Sequence, residues 1–245
     1  MLTDVVSCVD YTRDEKILTS EETTQELNAL IKNVKIVSVS EPTLDIYSDS
    51  NSYPQEESIW EQNENGDIPT VAVFIADVSS SMNGEPLNNL KKSLLDTAPY
   101  ISSDSYIGLI SYSDLVTKHL QIDKFDELQR AYFSGETKIL TTSSGTATYD
   151  AVLIAIQMIR DFGETLSEYK PMIFLLTDGQ QNRGWSLDRI LPIVKGSGIP
   201  VYSIAYNYNG DKDLTTLSEK NEAVVIPANS DDLVNQLRGL FNVEG

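Results

Sequence analysis

From Thr70 onward, apolar runs alternate with segments whose apolar residues recur every three or four positions. Val71-Ala72-Val73-Phe74-Ile75-Ala76 and Met172-Ile173-Phe174-Leu175-Leu176 are unbroken apolar stretches of strand length, the pattern of strands covered on both faces. Strands are expected at 70–76, 105–112, 115–122, 171–177, 200–206 and 222–227. Helices are expected at 85–98, 125–133, 148–162, 186–195, 213–219 and 230–242. Pro86 falls where a first-turn proline is tolerated, and Leu87, Leu90, Leu94 and Leu95 then share one face. Only Ser113-Asp114 separates 105–112 from 115–122, so these two read as a hairpin. The order predicts an α/β, Rossmann-like doubly wound sheet, mostly parallel with one antiparallel edge strand and helices on both faces.

The first 69 residues read differently. Thr19-x-x-Glu22 is a capping-box pattern ahead of Leu27, Leu30, Ile31 and Val34. Val34 to Val39 and Leu44 to Tyr47 suggest short strands with Glu41-Pro42 as a turn, and Asp49 to Asp67 reads as an acidic linker. Within it, the apolar pair Ile59-Trp60 is expected to dock on the main domain. Eleven of the nineteen excess negative charges lie in these 69 residues. The expected division is therefore a small acidic α+β appendage and linker at 1–69, and a main domain at 70–245.

Charge and composition narrow the function. A net charge of −19 repels phosphate backbones and argues against nucleic acid or anionic membranes as partners. No apolar run approaches the roughly 20 residues that span a bilayer, so direct membrane insertion of this chain is not expected. Met1 to Asp14 shows no basic region or long apolar stretch of a signal peptide. The location is open between cytoplasm and, if an export signal lies upstream, a bacterial cell surface. A single cysteine, Cys8, excludes an intrachain disulfide and a cysteine zinc cluster. The single histidine, His119, falls in an alternating stretch and reads as a strand residue.

Three short motifs carry the candidate chemistry. Asp77-Val78-Ser79-Ser80-Ser81 follows the first apolar strand, so an acid and two hydroxyls at alternate positions can turn oxygens toward one point. Ser144-Gly145-Thr146-Ala147-Thr148 precedes a helical pattern, and Thr177-Asp178-Gly179 ends a later strand. In an open α/β sheet, ligands sit beyond the carboxyl ends of the strands, so these loops can meet. Hard cations such as Mg²⁺ take oxygen ligands of this kind. Singly, each motif also suits helix capping or a turn.

Taken in order, the three motifs resemble the metal-ion-dependent adhesion site (MIDAS) of von Willebrand factor A (VWA) domains. The likeness runs from about Thr70 to Phe241, and Met82 to Leu87 and Pro200 to Tyr206 resemble the flanks of bacterial members. The resemblance implies that Asp77, Ser79, Ser81, Thr146 and Asp178 form a Mg²⁺ site, with Mn²⁺ or Ca²⁺ as alternatives. It implies hydroxyl ligation by Ser79 and Ser81, Thr146 directly or through water, and the two acids acting mostly through water. An ion so poorly neutralised keeps one position open for an Asp or Glu of a protein partner. Ser80 stands where many members carry glycine, which removes no ligand. The implied function is cation-dependent adhesion or assembly without catalysis, and the implied C-terminal helix, Ser230 to Asn242, is a candidate lever.

Other readings remain. A Mg²⁺-dependent phosphatase or phosphotransfer enzyme would also place Asp77 at a strand end, although Ser79 stands where a second acid is needed. A scaffold with a non-functional metal site is a third reading. Serine hydrolysis wants a G-x-S-x-G turn and a positioned histidine, whereas Ser79 to Ser81 lack the glycines and His119 is the only histidine.

Overall fold

The computed structural model describes residues 17–39, 69–163, 168–179, 181–206, 212–219, 223–227 and 233–241. Seven helices among them are α1 (Ser20–Ile31), α2 (Glu85–Thr97), α3 (Glu127–Ile139), α4 (Thr148–Asp161), α5 (Leu187–Ser197), α6 (Lys212–Glu219) and α7 (Leu233–Phe241). The strands are β1 (Ile36–Ser38), β2 (Thr70–Asp77), β3 (Tyr106–Tyr112), β4 (Val116–Lys124), β5 (Lys170–Thr177), β6 (Val201–Ala205) and β7 (Val225–Pro227). They form one sheet in the order β1-β4-β3-β2-β5-β6-β7. All pairs are parallel except β3 with β4, the hairpin the sequence predicts.

Every residue of β2 is buried, because the sheet is covered on both sides. On one face Val71, Val73, Ile75, Ile173 and Leu175 pack with residues of α1, α4, α5 and α6. On the other, Ala72, Phe74, Met172, Phe174 and Leu176 pack with residues of α2, α3 and α7. The period-two pattern of a strand sends alternate side chains into different cores, and an unbroken apolar run satisfies both.

The sheet extends past the boundary that charge and resemblance place at Thr70. Thr19 caps α1 with a full capping box, its hydroxyl accepting from Glu22 N–H while Glu22 accepts from Thr19 N–H. Leu27 and Leu30 then join the core under α4 and α5. Arg189 pairs with Glu26 at 2.8 Å, and the Trp185 indole donates to the Leu30 carbonyl at 3.3 Å. Helices α1 and α5 approach so closely that a Cβ on Gly196 would sit 2.2 Å from Thr23 Oγ1. β1 adds parallel to β4, so the antiparallel strand β4 lies one place in from the edge. The expectations for Cys8, Glu41-Pro42, Leu44 to Tyr47, the 49–67 linker and Ile59-Trp60 fall outside the described residues.

Helix α3 differs most from the sequence reading, continuing to Ile139 instead of ending at Phe133. Ser134 and Gly135 are poor helix formers, but Gly135, Glu136 and Thr137 are all buried. Tertiary burial overrides the local preference. At the C-terminus α7 lies on the sheet, with the Phe241 ring 5.2 Å from that of Phe174.

Candidate metal centre

Asp77 ends β2 at the carboxyl edge of the sheet, and its side chain is completely buried. Oδ1 accepts from the Ser79 N–H at 2.8 Å. Oδ2 accepts from Tyr112 Oη at 2.9 Å and Thr177 Oγ1 at 2.7 Å. Thr148 Oγ1 in turn donates to Tyr112 Oη at 3.3 Å, and Gly179 N–H to Thr177 Oγ1 at 3.0 Å. These bonds tie the ends of β2, β3 and β5 to the first residue of α4. They also fix the direction of the chain leaving Asp77.

Beyond Asp77 the chain makes a single 3-10 turn, Ser80–Met82, which brings alternate hydroxyls to one side. Ser79 Oγ and Ser81 Oγ are 3.0 Å apart, and Ser81 Oγ donates to Asp178 Oδ1 at 3.0 Å. Residues 97 positions apart are thus in direct contact. Ser79 is buried and Ser81 exposed, so the row of oxygens runs from the interior to the surface.

The Thr146 loop joins the same edge of the sheet through its backbone. Ser143 N–H donates to the Val78 carbonyl at 2.7 Å, Asp114 N–H to Ser144 O at 3.0 Å and Ala147 N–H to Ser113 O at 2.7 Å. Gly145 has φ +87°, and a Cβ there would meet Asp114 Cβ at 2.6 Å, so this crossing requires glycine. Thr146 itself is held by Asn182, which accepts from its N–H at 3.1 Å and donates to its hydroxyl at 3.3 Å. The structure therefore joins Asp77, Ser79, Ser81 and Asp178 in one bonded cluster. Thr146 is buried in the adjoining loop with Asn182 as its partner, and no described hydrogen bond links its hydroxyl to the other four.

Burial raises the Asp77 carboxyl above the ordinary aspartate value, partly offset by its hydrogen bonds from Ser79 and Thr177, while the Asp178 charge pushes the same way. Burial likewise drives the Tyr112 phenol well up, with Asp77 adding to it. Tyr112 therefore serves as a neutral donor. The described hydrogen-bond donors to Asp77 are an amide and two hydroxyls, so they meet its charge with dipoles alone.

The resident residues fit a divalent cation. Mg²⁺ with oxygens at about 2.0–2.1 Å places neighbouring ligands about 2.9 Å apart. The 3.0 Å between Ser79 Oγ and Ser81 Oγ matches such an octahedral edge. Among the described residues no group of three or more His, Cys, Asp or Glu could hold a metal, so this candidate is hydroxyl-rich and carboxylate-poor.

Residues 72–239 match the family model of the von Willebrand factor type A domain. The chain belongs to that family. Among curated relatives of this VWA domain, inter-alpha-trypsin inhibitor heavy chain H3 of Mus musculus is 29% identical over 186 residues, covering 71% of this chain and 21% of its own. The chain thus spans about a fifth of the curated relatives it matches. A von Willebrand factor type A structure from Catenulispora acidiphila superposes with TM-score 0.62 at 16% identity, covering 71% of this chain and 42% of that one. The pilus adhesin SpaC from Lactobacillus rhamnosus GG, in its open conformation, gives TM-score 0.57 at 15% identity, covering 71% and 30%. At such identities the likeness shows the fold. VWA domains are a family of protein-interaction and adhesion modules, generally without enzymatic activity. They commonly bind a divalent metal.

Tyr112, Thr148, Thr177 and Asn182 complete the site, and sequence reading did not single them out as ligand-positioning residues. Thr177 and Thr148 lie inside the quoted motifs and could have been found there. Tyr112 and Asn182 carry no local signal, since their roles depend on register and on the return of a distant loop.

Proposed function

We infer that this chain is a divalent-cation-dependent protein-binding domain that captures an acidic residue of its partner at a MIDAS metal. The reading rests above all on the continuous row Ser79 Oγ, Ser81 Oγ, Asp178 Oδ1, with 3.0 Å at each step and its middle residue, Ser81, exposed. Ser79, Ser81 and Thr146 would hold Mg²⁺ through hydroxyls, while Asp77 and Asp178 orient those hydroxyls and balance charge through water. When bound, the ion supplies a site for an incoming carboxylate. With −19 on the chain, attraction to an acidic surface needs that cation.

The phosphotransfer reading is weaker for a physical reason. A nucleophilic aspartate must reach its substrate, whereas the Asp77 side chain is buried and accepts three hydrogen bonds. Generic phosphoesters should give no turnover above background. Mg²⁺-dependent turnover that disappears in Asp77→Asn would promote the phosphotransfer alternative.

Partner capture is tested with a protein pulled down in Mg²⁺. Its retention should collapse in chelator and return when Mg²⁺ is restored, and Thr146→Ala should weaken it more than it weakens folding. A partner retained equally in chelator would place the contact elsewhere.

A further inference from the structure

The chain's one histidine lies in β4, the strand expected for it, but at an irregular position in the ladder. Leu109 pairs with Leu120 and Ile110 with Lys118, which leaves His119 as the extra residue of a β-bulge. Bulges re-aim side chains and are common beside active sites. The His119 ring stands between two side chains from other parts of the fold. Nε2 lies 2.8 Å from Ser111 Oγ, and Nδ1 lies 2.9 Å from Glu136 Oε2. Ser111 is 4% exposed and Glu136 3%.

The chemistry of the three groups sets the direction of the bonds. An ionised carboxylate can only accept, so Nδ1–H donates to Glu136 and keeps its proton, which leaves Nε2 bare in the neutral tautomer. Nε2 of the neutral ring then accepts the Ser111 hydroxyl proton. A nucleophile, its base and the orienter of that base are within hydrogen-bond reach in sequence. Ser111 and His119 border a cavity of about 270 Å³ that Thr117 and Asp114 also line, with Val78, Leu115 and Ile139 among its apolar walls. That is just below the roughly 300–1,000 Å³ of ordinary ligand pockets, so it suits a small molecule. Thr117 stands directly opposite Ser111 in the antiparallel ladder, which puts both side chains on one face.

We propose that Ser111, His119 and Glu136 form an acyl-transfer site that takes small carboxylic esters into this cavity. Ser111 Oγ attacks the ester carbonyl carbon while its proton passes to His119 Nε2. The bond to the alkoxide oxygen breaks, and Nε2 returns the proton to that oxygen, releasing the alcohol and leaving the acyl group on Ser111. Water then attacks the acyl carbon, gives a proton to Nε2, and Ser111 Oγ departs with that proton. One ester and one water become one acid and one alcohol. Thr117 supplies a hydroxyl to the carbonyl oxygen. One hydroxyl is a sparse oxyanion site, so turnover is slow. Glu136 is a positioning residue that acts through His119.

The test uses the whole chain in chelator throughout, so the metal centre plays no part. The protein is treated with a fluorophosphonate or with p-nitrophenyl acetate, and adducts are mapped by peptide mass spectrometry. The expected result is a single phosphonyl or acetyl group on Ser111, formed at least about 10²-fold more slowly in His119→Asn. Glu136→Gln should lower kcat for the nitrophenyl ester at unchanged KM. Mapping on the unsubstituted protein stands even where a variant fails to fold. An unmodified Ser111 peptide in the folded protein, or equal labelling in folded His119→Asn, overturns the proposal.

Discussion

Tyr112 and Ser111 are neighbours near the end of β3, yet their hydroxyls serve polar centres on opposite faces of the sheet. Tyr112 faces α4 and donates to Asp77, which anchors the candidate metal loops. Ser111 faces the other way, toward His119 and the cavity. The first centre is made by loops that start where strands stop, and each loop announces itself by a short polar motif. The second is made inside regular elements by a bulge in β4 and an extra turn of α3. A strand that alternates its side chains can support two unrelated chemistries within one residue of each other.

The largest expected effect falls on the Tyr112 side. Asp77→Ala would leave the Tyr112 and Thr177 hydroxyls and the Ser79 N–H without their shared acceptor in a buried site. Urea unfolding in chelator should show a loss of about 3 kcal/mol or more, at roughly 1–3 kcal/mol per stranded group. A loss below about 1 kcal/mol would mean that water replaces the carboxylate, and that the network is not the structural anchor described.

Gly145→Ala should cost about 2–3 kcal/mol by the same assay, from positive φ and the clash with Asp114. Its value is that Asp114 also lines the cavity, so this one change should disturb both centres. Intact Mg²⁺ binding in a folded Gly145→Ala protein would show that the Thr146 loop is not part of the site.

A sharper separation comes from the adjacent pair. Tyr112→Phe removes one donor to Asp77 and should weaken Mg²⁺ affinity about tenfold, the lower range for groups that orient metal ligands. Ser111→Ala should leave that affinity within about twofold, since changes outside a shared network act independently. Isothermal titration decides it, and similar losses in both variants would erase the distinction between the two faces.

Most of the fold was legible because burial pattern and element type coincide. The unbroken run at 71–76 could only be a strand covered on two sides, and β2 is one. Four of the five candidate ligands come together because strand ends in a parallel sheet share one edge. Thr146 lies in the neighbouring loop, held by Asn182. What was hidden depends on relations between distant residues. Nothing local says that β1, with its exposed side chains, would join the sheet outside β4. Nothing local says that α3 continues through Ser134-Gly135 to carry Glu136, or that β4 bulges at His119. An alternating stretch with a lone histidine reads the same whether that residue is in register or displaced from it.

The most direct test of the metal centre is a thermal melt of chelator-stripped protein with and without Mg²⁺. At a free concentration 100 times Kd, binding to the folded state adds about 2.7 kcal/mol, roughly 5–10 °C for a chain of this size. Ser81→Ala should abolish that increment while changing the metal-free melt little, because Ser81 is exposed even though it bridges Ser79 and Asp178 in the oxygen row. An unchanged melting curve in millimolar Mg²⁺, or a Ser81→Ala protein that responds as fully as the unsubstituted chain, would contradict the account.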